Sequence, residues 1–135
     1  MNLLIAILVA TVAWFLLAAL LFFNPIVDPI YRRQESHAAV RELPQGGATI
    51  GKILGAVVVQ CALWALVYVT VADALPGAEM SKGLAFAGII TAVKVIPRDL
   101  DRLLLTTYPT LRMGIEFVIG IACAVAVGLA FAYTL

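Results

Sequence analysis

Five charged side chains in and around the last two apolar segments are the residues of this chain best placed to do chemistry. An ionisable group inside an apolar segment must find a partner or lose its charge, so such groups often mark proton or ion sites in membrane proteins. Arg112 and Glu116 are four residues apart and share one helical face. Two interpretations stay open: a structural ion pair, and an inward-facing pocket for a proton, an ion or an anionic headgroup. The full candidate cluster is Lys94, Arg98, Arg102, Arg112 and Glu116.

The rest of the sequence lacks the patterns on which most enzymes depend. His37 is the only histidine, which excludes a paired-histidine haem site or a histidine-based metal cluster within one chain. The sequence contains no Gly-rich phosphate loop and no zinc-protease helix motif. Asp99 and Asp101 would point about 200° apart on a helix, which is poor geometry for joint acid–base catalysis. We predict no enzymatic activity, no catalytic residue, no metal site and no cofactor.

Composition identifies the environment in which these charges act. With 64% hydrophobic and 13% charged residues, and a mean hydropathy of +1.07, the chain is far from a water-soluble domain and offers little to nucleic acid. A helix of about 20 residues crosses the hydrocarbon core. The prediction is an all-α polytopic membrane protein, a single domain over 1–135, with four transmembrane helices at about 2–23, 50–75, 80–97 and 110–133.

Breaks between the apolar segments set the predicted helix ends. Asn24 and Pro25 end the first segment, and Pro97 ends the third, because proline removes a backbone donor and disfavours helix in the preceding residue. The polar stretches that follow each break have some apolar positions. They predict short helices on the inner membrane surface at about 31–43 and 98–106.

The distribution of Lys and Arg predicts the topology. Eight of the nine fall in or beside the first and third connections. Basic residues near membrane-spanning ends are retained in the cytoplasm, so both connections should face inward and both termini outward. We expect an antiparallel bundle, N-out and C-out. The eight residues are Arg32, Arg33, Arg41, Lys52, Lys94, Arg98, Arg102 and Arg112.

Small residues at a spacing of four predict where helices pack. Gly120, Ala124 and Gly128 recur along the fourth segment, and Gly88 and Ala92 lie in the third. Such a groove lets another helix approach closely, and it is filled either from within the chain or by another subunit. Gln60 is the polar residue deep in the second segment. A buried amide needs a partner, so Gln60 should face a neighbouring helix.

Two short patches carry a resemblance to a family. Phe23-Asn24-Pro25 after the first segment, and Pro109-Thr110-Leu111-Arg112-Met113 at the start of the last, resemble small four-helix bacterial integral membrane proteins described only as a domain of unknown function. The resemblance covers most of the chain and implies a multi-pass protein of the bacterial inner (plasma) membrane. Two departures stand out, Asn-Pro in place of an expected aromatic-Ser-Pro and a more highly charged third connection. The resemblance transfers no catalytic residue.

These observations predict a non-catalytic protein whose partners are the lipid bilayer and other membrane helices. We expect an accessory or structural subunit of a homo-oligomer or of a larger membrane complex. The alternative is a small oligomeric transporter or channel for a proton, ion or small solute, built on Glu116, Lys94 and Arg112. Association at fixed stoichiometry distinguishes the first, and flux in liposomes distinguishes the second.

Overall fold

Helices make up most of the part of the chain that the structure describes, and that part contains no strand. A computed structural model describes residues 2–41 and 43–135. Four of its helical segments are long and apolar enough to cross a membrane, and we number them as spans in chain order. By length and composition the protein is therefore a multi-pass membrane protein. The spans are Leu3–Phe22, Gly47–Ala74, Glu79–Leu105 and Thr110–Thr134.

A short helix follows the first span, and the Asn24 side chain hydrogen-bonds to the backbone at its start. The first span is a single helix, α1 (Leu3–Phe22), and α2 runs over Val27–Arg33. The Asn24 Oδ1 atom accepts hydrogen bonds from the backbone N–H groups of Ile26 and Val27, both at 2.9 Å. This is how asparagine side chains satisfy the free donors at a helix start.

The position of α2 corrects the predicted surface helix at 31–43. The helix begins earlier and ends at Arg33. Residues 34–41 and 43–46 form turns and irregular chain up to the start of the second span. Glu42 lies outside the described residues. Pro29 lies in the first turn of α2, where a missing N–H costs nothing because that donor has no intrahelical acceptor. The predicted end of the first span before Asn24 and Pro25 is confirmed, and the surface helix lies closer to that end than predicted.

The third span corrects a second boundary. It was predicted to stop at Pro97 and to be followed by a separate helix at 98–106. Instead α4 (Glu79–Ile90), a π-helical turn (Thr91–Val95) and α5 (Ile96–Leu105) are continuous. Proline clashes with the carbonyl four residues before it, and a π turn directly ahead of Pro97 widens the helix at that point. The ring is accommodated and the helix continues.

The second and fourth spans complete the fold. The second is α3 (Gly47–Val71) extended by one 3₁₀ turn (Ala72–Ala74), and the fourth is α6 (Thr110–Thr134). The α6 helix packs against both α1 and α4, and α3 packs mainly against α1. Aromatic rings close the remaining gap between α3, α4 and α6, with centroids 5.0 to 6.2 Å apart in mostly edge-to-face contacts. They belong to Trp64, Tyr68, Phe86 and Phe131.

Candidate functional site

A single carboxylate collects donors from three separate segments of the chain. The Glu116 Oε1 atom, on α6, accepts the hydroxyl hydrogen bond of Tyr31 from α2 at 2.6 Å and that of Tyr108 from the third connection at 2.5 Å. The Glu116 Oε2 atom forms an ion pair with Arg102 at the end of the third span. Only 15% of the Glu116 side chain is exposed. We call these four residues, with Arg112, the Glu116 cluster.

Arg112 holds the two tyrosines of this cluster in place. Its Nε atom donates to the Tyr108 hydroxyl at 3.0 Å and lies 3.5 Å from Glu116 Oε1. Its guanidinium also stacks on the Tyr31 ring, 3.9 Å from the centroid, as a cation–π contact. The spacing of four that predicted the pairing of Arg112 with Glu116 therefore corresponds to a contact, which the tyrosines extend.

Local structure explains why each tyrosine reaches the carboxylate. The Tyr31 ring packs edge-on against Phe22 at the end of α1, with centroids 5.1 Å apart, which holds α2 against the first span. Tyr108 lies between the end of α5 and Pro109, the residue before α6. Its backbone N–H donates to Thr106 Oγ1 at 3.3 Å, which tightens the turn. The cluster thus joins the first and third connections, through Tyr31 and Tyr108, to the fourth span.

Burial fixes the protonation state of the two phenols. Burial first, and then the hydrogen bond to Glu116, raises the pKa of Tyr31 above its usual range, and the same two causes raise the pKa of Tyr108. Both hydroxyls therefore remain protonated at physiological pH and serve as donors. A carboxylate has about four lone-pair sites. Three hydrogen bonds and the nearby Arg112 guanidinium occupy most of those of Glu116, so the geometry favours the structural ion pair over a proton or ion site at this residue.

The structure separates the predicted charged residues into three groups. Arg102, Arg112 and Glu116 lie together, as just described. Arg98 forms a two-point ion pair with buried Asp99, at 2.8 and 3.0 Å, and its Nη2 atom lies 3.5 Å from the Glu116 backbone carbonyl. Lys94 lies apart from the cluster. Its ammonium donates to the side-chain oxygen of Gln60 on α3, so Gln60 does face a neighbouring helix.

The predicted small-residue face also divides. Gly128 is buried against the third span, Ala124 is buried, and a Cβ added at Gly120 would lie 3.2 Å from Val95. Gly88 and Ala92, in contrast, are exposed, with no atom within 4 Å of a Cβ at Gly88. Gly83 and Ala87 are the third-span residues that meet Gly128. The third span therefore carries small residues on two sides: the Gly83 side is filled within the chain, and the Gly88 side is open.

Comparison with protein-family models, curated proteins and solved structures found no match for this chain. The resemblance to small four-helix membrane proteins of unknown function therefore stays an expectation.

Sequence reasoning missed the two tyrosines as cluster members. Tyr31 lies 85 residues from Glu116 in the chain, so nothing local signals its contact. Tyr108 did leave a signal, since Tyr108, Arg112 and Glu116 follow one another at intervals of four. Residues at that interval lie on one side of a helix, and Tyr108 lies only two residues before α6 begins.

Proposed function

We propose that the protein is a non-catalytic accessory or structural subunit of the bacterial inner membrane. It assembles with copies of itself or with other membrane subunits through helix packing. The observation that carries the proposal is the open small-residue strip on the outside of the third span, formed by Gly88 and Ala92. Small residues at this spacing let a second helix approach nearly to backbone contact.

The contrast between the two sides of the third span supports this role. On its inner side, Gly83 and Ala87 are already in contact with Gly128, so that groove is filled within the chain. On its outer side, the strip is flanked by the exposed apolar residues Leu84 and Ile96. A shallow notch with apolar borders suits another transmembrane helix, since van der Waals packing is a main association force in lipid.

The proposed arrangement is an antiparallel bundle with both termini outside. Its support is that the first and third connections, which carry most of the basic residues, both reach Glu116 through Tyr31 and Tyr108. Two segments that contact one carboxylate lie at the same end of the molecule. Basic connections at one end correspond to the cytoplasmic face.

Substitution of Gly88 tests the assembly. Gly88→Leu fills the notch, and we expect at least a tenfold loss of self-association or of co-purifying partner, because the approaching helix is displaced outward. Native mass spectrometry in mild detergent and energy transfer between labelled copies in liposomes measure the effect. The matched control is Gly114→Leu, the same change at an exposed fourth-span glycine with no atom within 4 Å of its Cβ position. A wild-type protein that is a monodisperse monomer without a partner contradicts the proposal.

A small oligomeric transporter or channel is the second candidate. One observation favours it: Lys94 and Gln60 place a charge and an amide in contact between the second and third spans. Polar and ionisable side chains inside membrane segments commonly line transport paths. Solute or proton flux in liposomes that responds to substitution of Lys94 or Glu116 would establish this function in place of the first.

A further inference from the structure

Lys94 lies where three spans meet, at the π-helical turn of the third span. Its ammonium donates to Gln60 Oε1 on the second span. It also lies 3.9 Å from the centroid of the Trp14 ring on the first span, a cation–π contact. The side chain is half-buried. These contacts hold a positive charge inside the helical packing, at a point distinct from the Glu116 cluster.

This charge has no carboxylate partner among the described residues. The other cations of the region are paired, Arg98 with Asp99 and the two cluster arginines with Glu116. Of the cations Lys94, Arg98, Arg102 and Arg112, only Lys94 has no carboxylate within 4 Å among the described residues. An uncompensated ammonium within a membrane segment is costly, and an amide oxygen and an aromatic face offset only part of that cost. The geometry calls for a negative counter-charge.

A small cavity adjoins the ammonium. Its volume is about 30 Å³, which is enough for a water molecule or a small ion. Lysine, arginine and tryptophan side chains are donors with no acceptor atom. Those three residue types supply all the polar lining apart from one thiol. The polar lining residues are Trp14, Trp64, Lys94, Arg98 and Cys123.

We propose that this cavity binds one monovalent anion of about the size of chloride, held by the Lys94 ammonium and the Arg98 guanidinium. Half of the lining residues are apolar, and the charged side chains among the rest, Lys94 and Arg98, are cations that disfavour a second cation and can bind an anion. The occupant also supplies the counter-charge that the described residues lack. The site is independent of the assembly surface on the third span, so either proposal can fail without the other.

The chain provides its own reporter for this site. Trp14 and Trp64 both line the cavity, and they are the only two tryptophans of the protein. Bromide quenches indole fluorescence on contact. With the protein in nanodiscs of phosphatidylcholine, in gluconate buffer, we expect saturable quenching by bromide that added chloride reverses. Lys94→Met should weaken the saturable component at least tenfold. The control Lys52→Met, at an exposed lysine outside the cavity, should leave it unchanged.

Two results would overturn the anion site. One is quenching that rises linearly with bromide and is equal in wild type and Lys94→Met. The other is a wild-type melting temperature that is the same in chloride and in gluconate, because an anion bound to the folded state alone must raise it. This second measurement needs no variant. Lys94→Met is also expected to fold, since it exchanges an uncompensated charge for an apolar side chain of similar length.

Discussion

Glu116→Leu is expected to lower the free energy of unfolding by about 3–5 kcal/mol, because it removes one partner from a largely buried ion pair and leaves the other behind. Arg102 and Arg112 would lose their counter-charge, and the hydroxyls of Tyr31 and Tyr108 would lose their acceptor. Unfolding in a denaturing detergent, followed by circular dichroism, measures the loss.

Two controls separate the cluster from a general effect of charge. Glu116→Gln keeps one acceptor oxygen for the tyrosines and should cost less than the leucine variant. Asp101→Asn removes a carboxylate from the exposed side of α5 and should change the unfolding free energy little. An unfolding free energy for Glu116→Leu equal to that of wild type would mean that the cluster contributes nothing to stability.

Gly128→Ala is expected to cost about 3 kcal/mol, the upper part of the range for overpacking. A Cβ at this position would overlap the backbone carbonyl oxygen of Gly83 and lie 3.1 Å from the backbone nitrogen of Ala87. Backbone atoms cannot rotate aside as a flexible side chain can, so the two helices must separate. The same unfolding measurement reports the change.

The matched comparison for Gly128 is another glycine of the same helix. Gly114→Ala meets no atom within 4 Å and should stabilise α6 by up to about 1 kcal/mol, since alanine has the higher helix propensity. Gly83→Ala should also destabilise the protein, but less than Gly128→Ala, because its Cβ would lie 3.1 Å from the Gly128 carbonyl oxygen and would not overlap it. Equal stability of Gly114→Ala and Gly128→Ala would contradict the close contact between the third and fourth spans.

Hydropathy was enough to predict the spans because length and apolarity define them physically. The first span was predicted at 2–23 and is a helix over Leu3–Phe22, and the fourth was predicted at 110–133 and is a helix over Thr110–Thr134. The prediction was wrong at the bounds of the surface helix and at the end of the third span. At Pro97 a π turn accommodates the ring. The surface helix predicted at 31–43 is a helix over Val27–Arg33, with Pro29 in its first turn.

The buried side of each helix was less predictable than its ends. In lipid both the buried and the outer sides of a helix are apolar, so periodicity does not identify the packed side as it does in a soluble protein. The third span shows this, since Gly83 and Ala87 are packed while Gly88 is open. Tyr31 and Glu116 are far apart in the chain, so their contact leaves no local sequence pattern. It results from the way the helices assemble.

The central claim is that the two basic connections lie on the inner side of the membrane and are joined there at Glu116. Cysteine labelling tests it most directly, in a background with Cys61→Ala and Cys123→Ala, both of which replace buried free thiols. Single cysteines are placed at Arg33, at Asp101 and, for the opposite side, at Asp73. With a membrane-impermeant maleimide on intact cells, the account predicts labelling of Asp73→Cys alone, and of the other two only after permeabilisation. Labelling of the Arg33 and Asp101 positions from opposite sides of the membrane would contradict it.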